Sequence, residues 1–298
     1  PGRAWAGGRA AVNTAITWSG TLTAVSSIAH GGQTRGTITL LRRELVCTAH
    51  GSLVHVPIIS GNTLRGRLRR IGEELLRDAL GYEGLLSPAA AHVLRGGGAL
   101  AKTGGEPLSG ARLARLRQLV PQIGVFGGAG AGTIISGALD VGKVVPVLAE
   151  TSRITGVDSD VSAFTATQLE AYTRQDDGDG HDFVAVASPS RLDFDEDGQP
   201  SVRAADSAQM LFHLETFPAG TVFVSWLRLR RPTPVEAGFF TDVLAEFSRD
   251  GRLGGRVGIG HGQVRVDLDT SEPVVGADWR AWVCGHRDEV LEVLGWLA

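Results

Sequence analysis

At Asn62 the hydrophobic pattern of this chain changes period, and that switch narrows the folds open to it. From there Leu64, Leu68, Ile71 and Leu75 recur at i, i+4, i+7 and i+11, which predicts a helix with one buried stripe. Upstream, residues 14–28 (TAITWSGTLTAVSSI) alternate small or polar residues with Ile16, Trp18, Leu22 and Ala24, the pattern of a long half-buried strand. A break, HGGQTRG, precedes a second strand at 37–47, and Pro57 closes a short third run. Far downstream, TVFVSWLRLR (221–230) reads as a strand. A helix follows over 234–249, with Pro234 at its first position and Phe239, Phe240, Val243, Leu244 and Phe247 on its apolar side. QVRVDL (263–268) then reads as a strand before a short last helix. Strands, helix, strands, helix, strand predicts an α+β fold with a ferredoxin-like sheet and both helices on one face.

Other segments interrupt this order. Residues 82–120 read as short helices with a stripe of Leu113, Leu116 and Val120, and the glycine-rich IGVFGGAGAG turn leads to a strand near 133–141. Residues 148–209 are long, polar and irregular, the mark of an inserted lobe. The expected division is therefore one unit from 1–147 and 210–298, carrying the 82–120 insertion, with the lobe 148–209 between its halves. At 43% hydrophobic and 20% charged residues the chain can bury a core unaided. Cys47 and Cys284 stand far apart with no CxxC, which excludes a disulfide framework or a cysteine zinc site and suits a reducing cytoplasm. No stretch approaches the roughly 20 apolar residues that span a bilayer, so no membrane partner is expected.

The net charge of −3 hides a division along the chain. Residues 1–72 hold nine Arg, no Lys and one acid, Glu44, a balance of +8, which leaves −11 for the remainder. Residues 176–206 alone set nine acids against Arg191 and Arg203. Local clustering of cations, not the average, is the footprint of a polyanion partner.

Several familiar sites fail on inspection. Gly127 to Gly132 has P-loop spacing, but Thr133 stands where a lysine must reach the phosphates. Gly258, Gly260 and Gly262 lack the dinucleotide spacing and lead into a strand. DFDEDG starts like a calcium loop, yet its twelfth position is Ala204 instead of Glu. There is no HExxH and no GxSxG; His30 and His261, each beside glycines, are the places where a general base could sit. No metal or cofactor is expected. No aspartate precedes Asp78, which leaves metal or acid–base chemistry there only Glu44, Glu73 and Glu74.

What remains is backbone chemistry. A Ser60-Gly61-Asn62-Thr63 turn opening a helix offers unpaired N–H groups to a phosphate, with Arg65 and Arg69 one and two turns on for the next. A second glycine loop, Gly254 to Gly262, contributes Arg256, His261 and a main chain open to close approach. Together they could line a track for a sugar-phosphate strand. At 6% aromatics, with no aromatic RNP pattern, broad base stacking is not the main mode, so the bases stay available.

Five motifs in order then carry a family resemblance. IISGNTLRGRLRR resembles the helix start IPGSSLKGxLR of the CRISPR-associated RAMP superfamily, specifically its guide-bound backbone subunits. IGVFGGAG with GALDVG resembles that family's phenylalanine-glycine turn and strand, and ETSRITG, with Arg153, Thr155 and Gly156, is similar to its IDRxTG element. ETFPAGTVF resembles EvvpxGtxF, and GRLGGRVGIGHGQVRV its C-terminal glycine loop. The resemblance implies an RRM-like palm with residues 148–209 as a thumb. It implies CRISPR RNA, a target strand paired to it, further copies of this chain in a helical filament and other effector subunits as partners. The RNA-binding set it points to is Ser60, Gly61, Asn62, Thr63, Arg65, Arg69, Gln33, Arg35, Arg153, Gly255, Arg256, Gly258, Gly260 and His261. Type III members cut target RNA with an Asp in the loop after the first strand. Here that loop, SSIAHGGQTRG, has none, which points to a non-cutting, type IV-like backbone. Two rivals stand beside this reading: an endoribonuclease of the same superfamily acting through His30, and a nucleotide or small-molecule enzyme using the two glycine loops.

Overall fold

The computed structural model describes residues 15–100, 108–130, 132–173, 193–194, 200–201, 211–270 and 272–297. The acidic run 176–182, the part of DFDEDG beyond Phe194, and Ala204 lie outside the described residues. The first half of the chain contains β1 (Ala15–Ala24), β2 (Gly31–Arg35), β3 (Ile38–Leu41), β4 (Arg43–Cys47) and β5 (Leu53–Pro57). Helices α1 (Gly61–Leu80), α2 (Pro88–Gly96), α3 (Gly110–Leu119) and α4 (Pro121–Phe126) follow. Then come β6 (Gly128–Gly130), β7 (Thr133–Ile135), β8 (Leu139–Val141), β9 (Val145–Pro146), α5 (Ser152–Thr155), β10 (Gln168–Thr173), β11 (Asp193–Phe194) and β12 (Pro200–Ser201). The last part holds β13 (Leu211–Thr216), β14 (Val222–Arg230), α6 (Pro234–Asp250), β15 (Val264–Thr270), α7 (Trp279–Gly285) and α8 (Arg287–Gly295).

The central sheet runs β15-β1-β14-β8, with β9 also on β14, and all its pairs are antiparallel. Counting only β1, α1, β8, β14, α6 and β15, this is the fourth-first-third-second strand order of a ferredoxin-like unit. Period-two alternation decides its faces: Ile16, Trp18, Leu22 and Ala24 of β1 and Phe223, Leu227 and Leu229 of β14 are buried. Those side chains meet α1 and α6. Trp18 packs edge-on against Phe240 at 5.1 Å between centroids, and Leu64, Leu68, Phe239 and Phe247 are fully buried in the same core. The opposite face stays wet, with Trp226 42% exposed beside Arg228.

A second sheet, β10-β13-β3-β2, stands beside the first. The structure divides the strand expected over 37–47 at Arg42. There the Arg42 N–H donates to the His30 carbonyl (3.0 Å) and its own carbonyl accepts from Ile58 (3.0 Å), so the backbone leaves β3's sheet for the β4–β5 hairpin. Buried Glu215 of β13 pins this corner by accepting from the Leu41 N–H (2.8 Å), Thr167 (2.8 Å) and both arms of the Arg43 guanidinium. The HGGQTRG break contains a strand, β2, exposed along its length. IGVF, read as part of a turn, ends helix α4, every residue of which is buried. The last helix is two, α7 and α8, divided at His286. Among the described residues no helix is long and apolar enough to cross a membrane.

Candidate nucleic-acid interface

Helix α1 begins where two sheets and a hairpin meet. Ser60 is its N-cap, accepting from the Thr63 N–H at 3.3 Å, and no acidic residue lies in its first turn. The Ser60 N–H donates in turn to His30 Nε2 at 3.2 Å, which occupies that ring nitrogen's lone pair. Burial, and then neighbouring Arg42, holds the His30 pKa below its ordinary value, so the ring favours its neutral form. Gly61 lets the helix start close to the strand: a Cβ there would stand 2.9 Å from the carbonyl oxygens of Val141 and Gly142. The first turn of α1 thus presents a positive dipole end with no side-chain acid to neutralise it.

The arginines of α1 divide into two kinds, and Arg69, expected to reach a phosphate, is of the inward kind. Arg69 is 7% exposed, and its guanidinium donates to the carbonyls of Val93 (3.3 Å), Gly127 (2.9 Å) and Phe126 (2.6 Å). Burial, then Arg65, pushes it down to about 10, still well above neutrality. Arg65 donates to Phe126 (2.9 Å) and to Leu139, and its pKa is lowered by burial. Both therefore clamp the C-terminal end of α4, where free carbonyls attract cations. Neither forms an ion pair among the described residues, so two cations stand behind the start of α1 and add to its positive field. Arg70 points to solvent and Arg67 pairs with Asp250.

Three clefts meet around this helix start. The first, about 480 Å³, lies between α1 and the C-terminal glycine loop and is lined by Thr63, Gly66, Arg67 and Arg70 on one side and Arg252 and Gly254 on the other. Its one acid, Asp250, is shared by Arg67 and Arg252. The second, about 430 Å³, holds Ser60, Gly61, Arg65, Arg42, Lys143, Asp140 and Glu44, the last paired with both Lys143 and Arg42. The third, about 650 Å³, holds His30, Gln33, Arg35, Arg42, Arg43 and His55 and no carboxylate. Asn62 lines the first two and Arg42 the last two, so neighbouring clefts share a wall residue in the order first, second, third past the start of α1. Arg42 and Arg70 were passed over beside Arg43 and Arg69, from which the sequence does not distinguish them, and Lys143 and Arg252 stand singly among apolar and glycine residues.

The glycine loop is held to the segment between β1 and β2 by main-chain bonds from the Gly255 N–H to the Ala29 carbonyl (2.8 Å) and from the Gly262 N–H to the Ser27 carbonyl (2.8 Å). Gly255, Arg256, Gly258 and Gly260 are exposed, as expected for a surface a backbone could follow. Arg256 holds φ +56°, a conformation that favours glycine, with its guanidinium 5.9 Å from the Tyr172 ring centroid. His261, expected at an exposed place, is 4% exposed and bonded to Ser27 and Tyr172. Arg153 is exposed on α5 and lines none of the three clefts. Among the described residues no cluster of His, Cys, Asp and Glu is placed to hold a metal ion.

No protein-family model and no curated protein matches the sequence. A solved structure does: a chain of a type IV-B CRISPR complex, 33% identical, superposes with a TM-score of 0.62 and covers 90% of this chain and 96% of that one. That identity over nearly the full length of both chains, on the fold and motifs described above, places the protein: it belongs to the CRISPR-associated RAMP superfamily as a type IV backbone-like subunit.

Proposed function

We propose that this chain is the backbone subunit that binds CRISPR guide RNA through its phosphates, in a helical filament of copies that leaves the guide bases open to a target strand. The observation that carries the reading is the run of three adjoining clefts around the start of α1, lined by arginines from α1, β2 and the glycine loop. Its contacts are the main-chain N–H groups of Gly61 and Asn62, those of Ser60 and Thr63 being spent on His30 and the cap, and the cations Arg35, Arg42, Arg70 and Arg252, with Arg256 on the exposed part of the glycine loop. Arg65 and Arg69 act from behind through their charge. Such a site recognises a sugar-phosphate chain without reading its sequence, as a guide carrier must. Other effector subunits complete the particle, which works in the cytoplasm without catalysis by this chain. His30, the base of the endoribonuclease alternative, spends its Nε2 lone pair on Ser60. The test is purification in high salt from cells making the guide, with the 260/280 nm ratio measured and co-eluting RNA sequenced. Repeat-derived RNA of uniform length in a large particle is the expected result; a nucleic-acid-free monomer from such cells refutes it.

A further inference from the structure

A chain of polar contacts runs from β10 into the glycine loop. His261 Nδ1 is 2.9 Å from Ser27 Oγ, and its Nε2 bonds the Tyr172 hydroxyl. The single Tyr172 O–H donates to Glu170 (3.0 Å), so the hydroxyl oxygen is the acceptor toward His261 Nε2–H; Glu170 accepts from Thr216 (2.6 Å) and Gln168 (2.9 Å) as well. Burial alone would raise the Glu170 pKa, but these donors and Ser27 outweigh it and hold it at about 2, so the carboxylate is a permanent acceptor. The segment after β1, β10, β13 and the glycine loop are thereby tied at one point.

The loop needs such a tie. Gly254, Arg256, Gly260 and Gly262 all have positive φ, and a glycine-rich segment loses much conformational entropy when ordered. Arg256 stands in a strained conformation whose side chain lies over the Tyr172 ring, the same residue that bonds His261. Tyr172 also lies one residue from the end of β10, where the chain leaves for the segment 174–210 that returns at β13.

We propose that Tyr172 and His261 are positioning residues: a clasp that pre-orders the glycine loop and sets Arg256 against an RNA phosphate, anchoring the loop to the base of the lobe. This rests on the phosphate-binding reading above. The clasp touches no phosphate itself, and lowers the ordering cost of the loop that does.

The full chain is compared with Tyr172→Phe, which keeps the ring under Arg256, with His261→Asn, and with Arg256→Gly. Amide hydrogen exchange over 254–262 is measured without RNA, and the affinity for a labelled single-stranded guide RNA is measured across salt concentrations. Tyr172→Phe and His261→Asn are expected to speed loop exchange and weaken binding roughly tenfold with the salt slope unchanged. Arg256→Gly is expected to lower that slope by about 0.7, one phosphate contact. Unchanged loop exchange in Tyr172→Phe overturns the clasp. A loosened loop with unchanged affinity overturns its role in binding, and a fall in slope for Tyr172→Phe makes that residue a contact instead. Wild-type protein that binds no RNA sinks the phosphate reading, while loop exchange still decides whether the clasp holds.

Discussion

Arg69 donates to three main-chain carbonyls, whereas Arg70, the next residue, is exposed and makes no ion pair among the described residues. Replacing Arg69 with Met leaves buried acceptors at the end of α4 without donors, and is expected to cost about 2–4 kcal/mol of stability. Arg70→Met should stay within about 0.5 kcal/mol and weaken RNA binding. Urea unfolding of RNA-free protein separates the two; equal losses would show that both are structural. The difference was not legible in RGRLRR, because an inward arginine is defined by its acceptors, and two of the three, Phe126 and Gly127, lie at the end of a helix the sequence disguised as a turn. His30 gives a pH signature. Its folded pKa is depressed below the ordinary 6.5, so the unfolded chain binds the extra proton first. The stability it contributes is complete above 6.5 and is lost as pH falls from there through the lowered folded value. His30→Gln, which can still accept from Ser60, should flatten the stability profile in that window. A profile as steep as wild type would place the titration elsewhere.

Helix α1 carries two interior glycines that the sequence does not distinguish, and its packing does. At Gly66 a Cβ would meet nothing within 4 Å, whereas at Gly72 it would collide with Gln122 and come within 2.9 Å of the Phe239 ring. Gly72 is therefore what lets α1 approach α4 and α6. Gly66→Ala should raise stability by about 0.5–1 kcal/mol through helix propensity, and Gly72→Ala should lower it by about 1–3 kcal/mol despite the same gain. Thermal melts of the two variants decide it; stabilisation by both would mean that the helices can part at little cost. The legible elements were those with long periodic stripes and caps: α1 behind Ser60, α6 behind Thr233 and Pro234, and the alternating β1 and β14. Helix α4 escaped because six residues with Pro121, Gly124 and burial on every side show no period. The β3–β4 division escaped because Arg42 changes sheets through main-chain bonds, which leave no trace in side-chain pattern.

Charge is where the whole molecule departs most from its average. A chain of net −3 is proposed to hold a polyanion because its cations converge from β2, α1 and the glycine loop, segments far apart in sequence. The N-terminal excess of arginine was legible, but its partition was not. Arg42 is paired with Glu44, Arg43 with Glu215 and Arg67 with Asp250, and Arg65 and Arg69 are spent on carbonyls, which leaves Arg35 and Arg70 with neither an ion pair nor a carbonyl acceptor among the described residues. These two report the clefts without disturbing the fold. Each phosphate contact on a single strand contributes about 0.7 to the slope of log affinity against log salt. Replacing both with Gln should lower that slope by about 1.4, weaken binding most at low salt, and leave unfolding unchanged. The loss should be uniform across RNA sequences, because phosphate contacts position a strand and do not read it. Titrations of wild type and the double variant over a range of salt, with two unrelated guide sequences, measure all of this. A slope identical to wild type would place the RNA outside the clefts, and a loss confined to one sequence would mean that these arginines meet base edges.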